Sequence, residues 1–316
     1  MKDNKNIAVV FPGQGSQRPG MGKDFYEQIP VCRQTFEEAA DALGWDVSAM
    51  CFGEDEKLNL TEFTQPCIVT AEIAMLRGLS KNYGFAPDYF GGHSLGEFTA
   101  LVAANVMPLA ETVKIVQTRG KLMQEAVPVG VGGMAAVISE GIDMEMLTKI
   151  MDGLAAGVAN INSANQVVIS GELPAIDEAE NRLTQNFPVE KSFRFVRLNV
   201  SAPFHSRLMK TIEGRFADTL DKFGSNLNAQ NASRVTSNFT GDFHQNDVSE
   251  VKRNLVNQIS NTVNWRKNMQ ALASKAQEIY EVGPGRPLRD FFKTIGVACP
   301  SVTGLTAADK IFKASS

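Results

Sequence analysis

Tyr89-Phe90-Gly91-Gly92-His93-Ser94-Leu95-Gly96-Glu97 decides the reading of this chain. A short β-prone run meets paired glycines and a helical stretch begins near Glu97, so Ser94 sits at a sharp strand-to-helix turn in a G-x-S-x-G pattern. Small residues on both sides permit the strained backbone that lifts a serine Oγ clear, and the following helix N-terminus favours negative charge nearby. The plainer alternative is a glycine-rich turn whose serine only caps the helix. The order strand, turn, helix favours a nucleophile, and Ser94 is the candidate.

Upstream, Ile7-Ala-Val-Val-Phe11 reads as a buried strand that ends abruptly in Pro12-Gly13-Gln14-Gly15. Gln65 to Lys81 has helical spacing and closes at Gly84. Strands alternating with helices predict a mostly parallel sheet covered by helices. Between residues 131 and 200 the rhythm changes: strand Met134–Ile138, helix Met144–Met151, strands Gly157–Ile161 and Gln166–Ile169, helix Pro174–Leu183 and strand Phe193–Val200. That order predicts a ferredoxin-like insert at 131–200 within a larger domain made of 1–130 and 201–316. The larger domain resumes with helices around Leu208–Phe223, Val251–Asn257 and Trp265–Lys275 and a strand at Glu278–Val282.

The chain has 316 residues, 43% hydrophobic and 21% charged, which is ordinary globular usage. A net charge of −4 argues against a broad basic surface and hence against nucleic acid as partner. Cys32, Cys51, Cys67 and Cys299 lack disulfide or metal-ligand spacing, so no metal is expected and a reducing cytoplasm is. Met1–Asn6 is short and polar, and there is no uninterrupted apolar run of membrane-spanning length, so neither export nor a membrane is expected.

A nucleophilic serine needs a base, and the chain has 3 histidines. His93 adjoins Ser94, and adjacent side chains on such a turn diverge. His244 lies in the polar stretch Asn238–Asp247, which reads as a surface loop with a solvated imidazole. His205 follows the last strand of the insert, at a strand end where catalytic groups of α/β proteins gather, and is the choice. Main-chain N–H groups near Gln14 and at Leu95 can converge on a developing oxyanion. The Gly13-x-Gly15 loop is no dinucleotide site, since Arg18 stands where a third glycine is needed. Val113, Val116, Arg119, Gly120 and Met123 share one helical face, which sets an arginine among apolar residues. A buried guanidinium demands an anion, either an internal acid or a substrate carboxylate, and spacing alone leaves both open.

These residues together resemble the malonyl-CoA:acyl-carrier-protein transacylase family, from Ile7 to about Phe292. The resemblance is carried in order by Phe11-Pro-Gly-Gln-Gly-Ser-Gln17, Thr64-Gln-Pro66, Gly92-His-Ser-Leu-Gly-Glu97, Gln117-Thr-Arg-Gly120, Asn162-Ser163 with Gln166-Val-Val-Ile-Ser-Gly171, Pro203-Phe-His-Ser206, Gln258-Ile-Ser-Asn with Val263-Asn-Trp265, and Glu281-Val-Gly-Pro-Gly285. It implies an α/β fold whose larger domain is α/β-hydrolase-like. It also implies that Ser94 carries the acyl ester, His205 is the base, the main-chain carbonyl at Gln258 orients His205, and Gln14 and Leu95 form the oxyanion hole. Arg119 would bind the malonyl carboxylate, with Phe204, Met123, Gln65 and Asn162 also in the substrate site and Phe204 disfavouring an α-methyl branch. Malonyl-CoA and an acyl carrier protein are the implied partners, the enzyme needs no cofactor, and a monomer is expected.

Arg286-Pro287, Phe98 and Asn105 depart from many housekeeping members, which leaves open a discrete acyltransferase serving a polyketide or polyunsaturated-lipid assembly line. Carrier proteins are acidic, so a basic rim drawn from Lys191, Arg194, Lys210, Arg286 and Arg289 is a candidate docking surface, against ordinary solvated charge. A serine thioesterase or hydrolase would share the elbow and base, but has no use for Arg119. A non-catalytic carrier-binding module would have no need of Ser94, His205 and Arg119 together.

Overall fold

A computed structural model describes residues 5–187 and 192–313. In chain order, β1 (Ile7–Phe11) is followed by α1 (Lys23–Gln28), α2 (Pro30–Leu43), α3 (Val47–Phe52) and the long α4 (Thr61–Tyr83). β2 (Tyr89–Gly92) leads into α5 (Gly96–Ala103) and α6 (Leu109–Glu125). Next come β3 (Gly132–Ser139), α7 (Met144–Met151), β4 (Ala156–Ile161), β5 (Gln166–Glu172), α8 (Leu173–Asn186) and β6 (Phe193–Arg197). The chain closes with α9 (Glu213–Phe223), α10 (Val248–Gln258), α11 (Trp265–Lys275), β7 (Glu278–Val282), α12 (Pro287–Lys293), β8 (Ser301–Val302) and α13 (Leu305–Phe312).

Two sheets organise these elements. The first has the order β2-β1-β7-β8 with every pair parallel. Its central strand β1 is apolar throughout and buried on both faces: Val9 and Phe11 point into the core shared with α4, α5 and α6, while Ala8 and Val10 meet Trp265, Met269 and Leu272 of α11 and Phe292 of α12. Alternate residues of one strand thus serve two cores, as a helix-covered parallel sheet requires. The second sheet is antiparallel, in the order β4-β5-β3-β6. One face packs Ala135, Val137, Val167 and Ile169 against Leu147 and Ile150 of α7 and Ile176 and Leu183 of α8. The opposite face, with Met134, Ala136 and Val168, roofs a cavity over the first sheet. Main-chain bonds between Ile161 N–H and Val263 O (2.9 Å) and between Val263 N–H and Ala159 O (2.8 Å) tie β4 of the second sheet to the segment between α10 and α11.

The last strand of the second sheet is shorter than the sequence predicts. It ends at Arg197 rather than Val200. Leu198 N–H still reaches Met134 O, but Val200 N–H turns back onto Leu198 O and the chain leaves the sheet toward Pro203. Among the described residues, no helix is long and apolar enough to cross a membrane.

The β2–α5 junction depends on two glycines. A Cβ at Gly92 would lie 2.0 Å from the carbonyl carbon of Gly96, and one at Gly96 would lie 2.2 Å from the Phe11 oxygen. Both contacts are with backbone, which cannot yield, so only glycine lets α5 start this close to β1 and β2. Parallel strands β1 and β2 end side by side here, with Phe11 in register with Gly92. The Pro12–Ser16 loop and the Ser94 turn therefore open at the same edge, the carboxyl ends of the strands, where α/β sheets hold their ligands.

Candidate active site

Ser94 and His205 face one another at this edge. Ser94 has φ 52° and His205 has φ 54°, two of the three non-glycine residues with positive φ among those described. The third, Asn105 (φ 57°), follows α5, in a conformation that asparagine tolerates. A left-handed backbone at a serine and a histidine costs about 1 kcal/mol or more each, and the surrounding packing enforces it. Ser94 Oγ lies 2.7 Å from His205 Nε2, and His205 Nδ1 lies 2.8 Å from the main-chain oxygen of Gln258. A carbonyl only accepts, so Nδ1 carries the proton and the Nε2 lone pair faces the hydroxyl. The arrangement can take a proton from Ser94 with no carboxylate in the third position.

His205 is 5% exposed. Burial, and next the charge of Arg119, depress its pKa to about 3, with the Gln258 carbonyl opposing them. The imidazole is thus neutral across the physiological range. The sign for activity follows: the base is lost only as pH falls toward that depressed value. The rate of Ser94 acylation, followed as kcat/KM, is expected to stay level from pH 7 down to pH 5, without the inflection near 6.5 of an ordinary histidine. An inflection near 6.5 in a stopped-flow pH profile would show a hydrated, readily protonated base instead. For stability the same shift acts in one direction. The unfolded chain binds the proton first, so this contribution is present above the ordinary value and is lost as pH falls from there toward the folded value.

Arg119 approaches from α6. It is 2% exposed, and Nη2 donates to Ser94 Oγ at 3.2 Å and to Gln258 Oε1 at 2.9 Å, while Nη1 donates to Gln65 Oε1 at 3.0 Å. Its guanidinium carbon lies 5.3 Å from the centre of the Phe98 ring, and Nε has no partner among the described residues. Burial lowers its pKa to about 10, with Glu97 acting the other way. The cation therefore stays charged, with donors to spare, beside the serine hydroxyl.

One cavity of about 790 Å³ gathers Gln14, Gln65, Ser94, Leu95, Arg119, Met123, Asn162, Phe204 and His205, and Gln258 lies buried behind them. The main-chain N–H groups of Gln14 and Leu95 donate to no acceptor among the described residues, so both are free to meet an anion in the cavity. The Gln14 side chain is anchored by bonds to Thr61 (3.1 Å) and Gln65 (3.4 Å). His93 turns away from Ser94: its Nε2 lies 2.8 Å from Asn162 Oδ1, and its ring meets the edge of Trp265. Asn162 in turn donates to Gln166 Oε1 at 2.8 Å.

The structure corrects the reading of His244 and adds residues the sequence did not single out. His244 is not a solvated loop residue. It is buried, and Nε2 lies 2.9 Å from Oε1 of Glu97, itself fully buried. The stretch from Asn238 is polar because its polar groups turn inward: Asn238 Oδ1 accepts from Ser94 N–H at 3.2 Å, and Asn238 Nδ2 donates to Gly92 O at 2.8 Å. Glu97 does not touch His205. The available signal was Glu97 itself, an acid three residues beyond Ser94 and directly before the mostly apolar run Phe98–Val102. Of the candidate basic rim, Arg194, Lys210 and Arg286 are exposed, Arg289 is half-buried beside Asp290, and Lys191 lies outside the described residues.

Known proteins are similar to this chain in sequence and architecture. The chain belongs to the acyl transferase domain family, which matches residues 8–284. A relative from Escherichia coli (strain K12), named malonyl CoA-acyl carrier protein transacylase, is 39% identical over 298 residues, covering 92% of either chain. One of the same name from Bacillus subtilis (strain 168) is 36% identical over 297 residues, covering 92% of this chain and 90% of the relative. The crystal structure of malonyl CoA-acyl carrier protein transacylase from Clostridium perfringens superimposes with a TM-score of 0.91 at 33% identity, over 98% of this chain and 97% of that one. A malonyl-transacylase solved in complex with its type II PKS acyl-carrier protein gives a TM-score of 0.87 at 34% identity, over 98% and 99%.

Proposed function

We propose that this enzyme transfers a malonyl group from malonyl-CoA to the phosphopantetheine thiol of an acyl carrier protein through an ester on Ser94. The observation that carries the reading is the buried Arg119 guanidinium, 3.2 Å from the serine hydroxyl and touched by no carboxylate among the described residues. A cation so placed selects an acyl group that brings its own carboxylate.

The steps follow from the geometry. His205 Nε2 takes the Ser94 proton as Oγ attacks the thioester carbon, and the oxyanion collects on the N–H groups of Gln14 and Leu95. Collapse expels the CoA thiolate, which leaves with the proton from His205. The carrier's thiol then gives its proton to the same Nε2 and attacks the malonyl ester, and Ser94 departs reprotonated. Gln258 contributes its main-chain carbonyl, which holds the imidazole. Phe204 crowds the carbon between the two carbonyls, while Gln65, Met123 and Asn162 shape the pocket around the acyl chain. No cofactor or metal takes part.

The fold reading follows the same lines: a larger α/β-hydrolase-like domain, 1–130 and 201–316, carries the nucleophile and base, and a ferredoxin-like subdomain, 131–200, covers the acyl pocket. The enzyme acts as a cytoplasmic monomer. Arg286 adjoins Pro287, Leu288 and Phe291 at the cavity, which makes this edge the place to seek carrier docking.

Intact-protein mass spectrometry tests the central claim. The wild type mixed briefly with malonyl-CoA should gain one malonyl adduct, Ser94→Ala none, and addition of a phosphopantetheinylated carrier should discharge the adduct onto the carrier. Rapid loss of the adduct to water with the carrier ignored would instead make the enzyme a thioesterase.

A further inference from the structure

Among the described residues Arg119 meets no acid directly, but one stands a single amide behind it. Gln258 Oε1 accepts from Arg119 Nη2 at 2.9 Å, and Gln258 Nε2 donates to Glu97 Oε2 at 2.7 Å. The same carboxylate oxygen accepts from the main-chain N–H of Asn238 at 2.9 Å and from Asn238 Nδ2 at 2.6 Å. Oε1 faces His244 Nε2 at 2.9 Å. Asn254 Nδ2 lies 3.3 Å from His244 Nδ1. An amide nitrogen only donates, so Nδ1 accepts and Nε2 carries the proton toward Glu97.

A carboxamide has a donor end and an acceptor end of nearly the same size, so its orientation must be imposed by its neighbours. With Gln258 reversed, its NH2 would confront the N–H groups of Arg119 and its oxygen would confront Glu97. A carboxylate accepts only, so Glu97 at 2.7 Å, with the Ser94 main-chain oxygen at 3.1 Å as a longer second acceptor, takes the donor end and leaves the oxygen for the guanidinium. Asn238 is keyed in the same way: Nδ2 goes to Glu97 and Gly92 O, and Oδ1 is left for Ser94 N–H. All of these groups except Ser94 are buried, where a mismatched donor or acceptor finds no water to repair it.

We propose that Glu97 is a positioning residue for acyl selection: by fixing the Gln258 carboxamide it holds Arg119 in the orientation that receives the acyl carboxylate. This rests on the reading of Arg119 given above. The Asn238 branch supports the Ser94 turn and serves any acyl group alike. Gln258 Nε2 also donates to the main-chain oxygen of Ser94 at 3.1 Å and so steadies the same turn, but its hold on Arg119 serves only acyl groups that carry a carboxylate, and that part separates in the ratio of malonyl to acetyl loading.

The experiment measures kcat/KM for loading from malonyl-CoA and from acetyl-CoA on the wild type and on Arg119→Ala, Glu97→Leu, Glu97→Gln and Gln258→Met. Glu97→Leu should lower the malonyl-to-acetyl ratio at least about tenfold, the scale of one hydrogen bond to a charged group. Gln258→Met, which cuts the link while keeping the main-chain carbonyl and the Glu97–Asn238 bonds, should lower it similarly and stands in if Glu97→Leu fails to fold. Glu97→Gln keeps an oxygen for both amides and turns its NH2 to His244, which then takes the other tautomer with the Asn254 amide reversed to accept from Nδ1; that change lies on the far side of Glu97 from Arg119, so the ratio should stay within about threefold of wild type. An unchanged ratio in Glu97→Leu or Gln258→Met, or a Glu97→Gln ratio as low as that of Glu97→Leu, overturns the proposal alone. A wild type with no malonyl preference, or an Arg119→Ala that retains it, overturns the reading of Arg119 and this proposal together.

Discussion

Arg119→Ala is expected to lower malonyl loading by about two to four orders of magnitude while acetyl loading changes far less, so that the preference between them collapses. The magnitude is that of removing one partner from a buried charge pair, about 3–5 kcal/mol. Wild-type Arg119 is buried, and it holds its place through Gln65, Gln258 and Ser94, none of them anionic. These neutral partners and the Glu97 charge beyond Gln258 offset its desolvation only in part, and an acyl carboxylate supplies the direct ion pair. Truncation therefore leaves that carboxylate stranded in a pocket with no cation, whereas an acetyl group has nothing to strand. Steady-state loading with the two CoA esters decides the matter, and equal losses for both would mean that the arginine only supports the fold or the serine.

His205→Ala should slow both half-reactions by about 10⁴-fold or more, the usual cost of removing the base from a serine nucleophile. Acylation suffers because Ser94 Oγ, 2.7 Å from Nε2, loses the only imidazole within reach to accept its proton. Deacylation suffers because the carrier's thiol must be deprotonated at the same place. Release of CoA monitors the first step, and discharge of pre-formed malonyl-enzyme monitors the second. A variant impaired in one step alone would show that a second group serves the other. The cavity left behind also uncovers the Gln258 carbonyl, so a thermal melt should accompany the rates.

Much of this site was legible in the sequence, for reasons tied to particular residues. The run Ile7–Phe11 read as a buried strand, and the glycines at 92 and 96 marked a sharp strand-to-helix turn. Arg119 stood out because a guanidinium on an apolar helix face contradicts its surroundings. His244 was read wrongly for the opposite reason. Its neighbours are polar, and polarity along a chain does not distinguish groups turned to water from groups turned onto a buried Glu97. Asn238 escaped notice too, since its partners Gly92, Ser94 and Glu97 lie about 140 residues earlier. Where β6 ends was equally hidden, because Leu198, Asn199 and Val200 hold no local breaker and the strand still stops at Arg197.

The carbonyl of Gln258 has a consequence for heredity. Where another serine enzyme would encode an aspartate, this chain orients its imidazole with an atom that every amino acid supplies. No codon change at position 258 can delete it. Only a shift of the end of α10 could, so the third member of the relay is inherited through the fold. A scan of alanine substitutions would pass over it without a signal, and natural variation could rework the Gln258 side chain while the base kept its orienting acceptor.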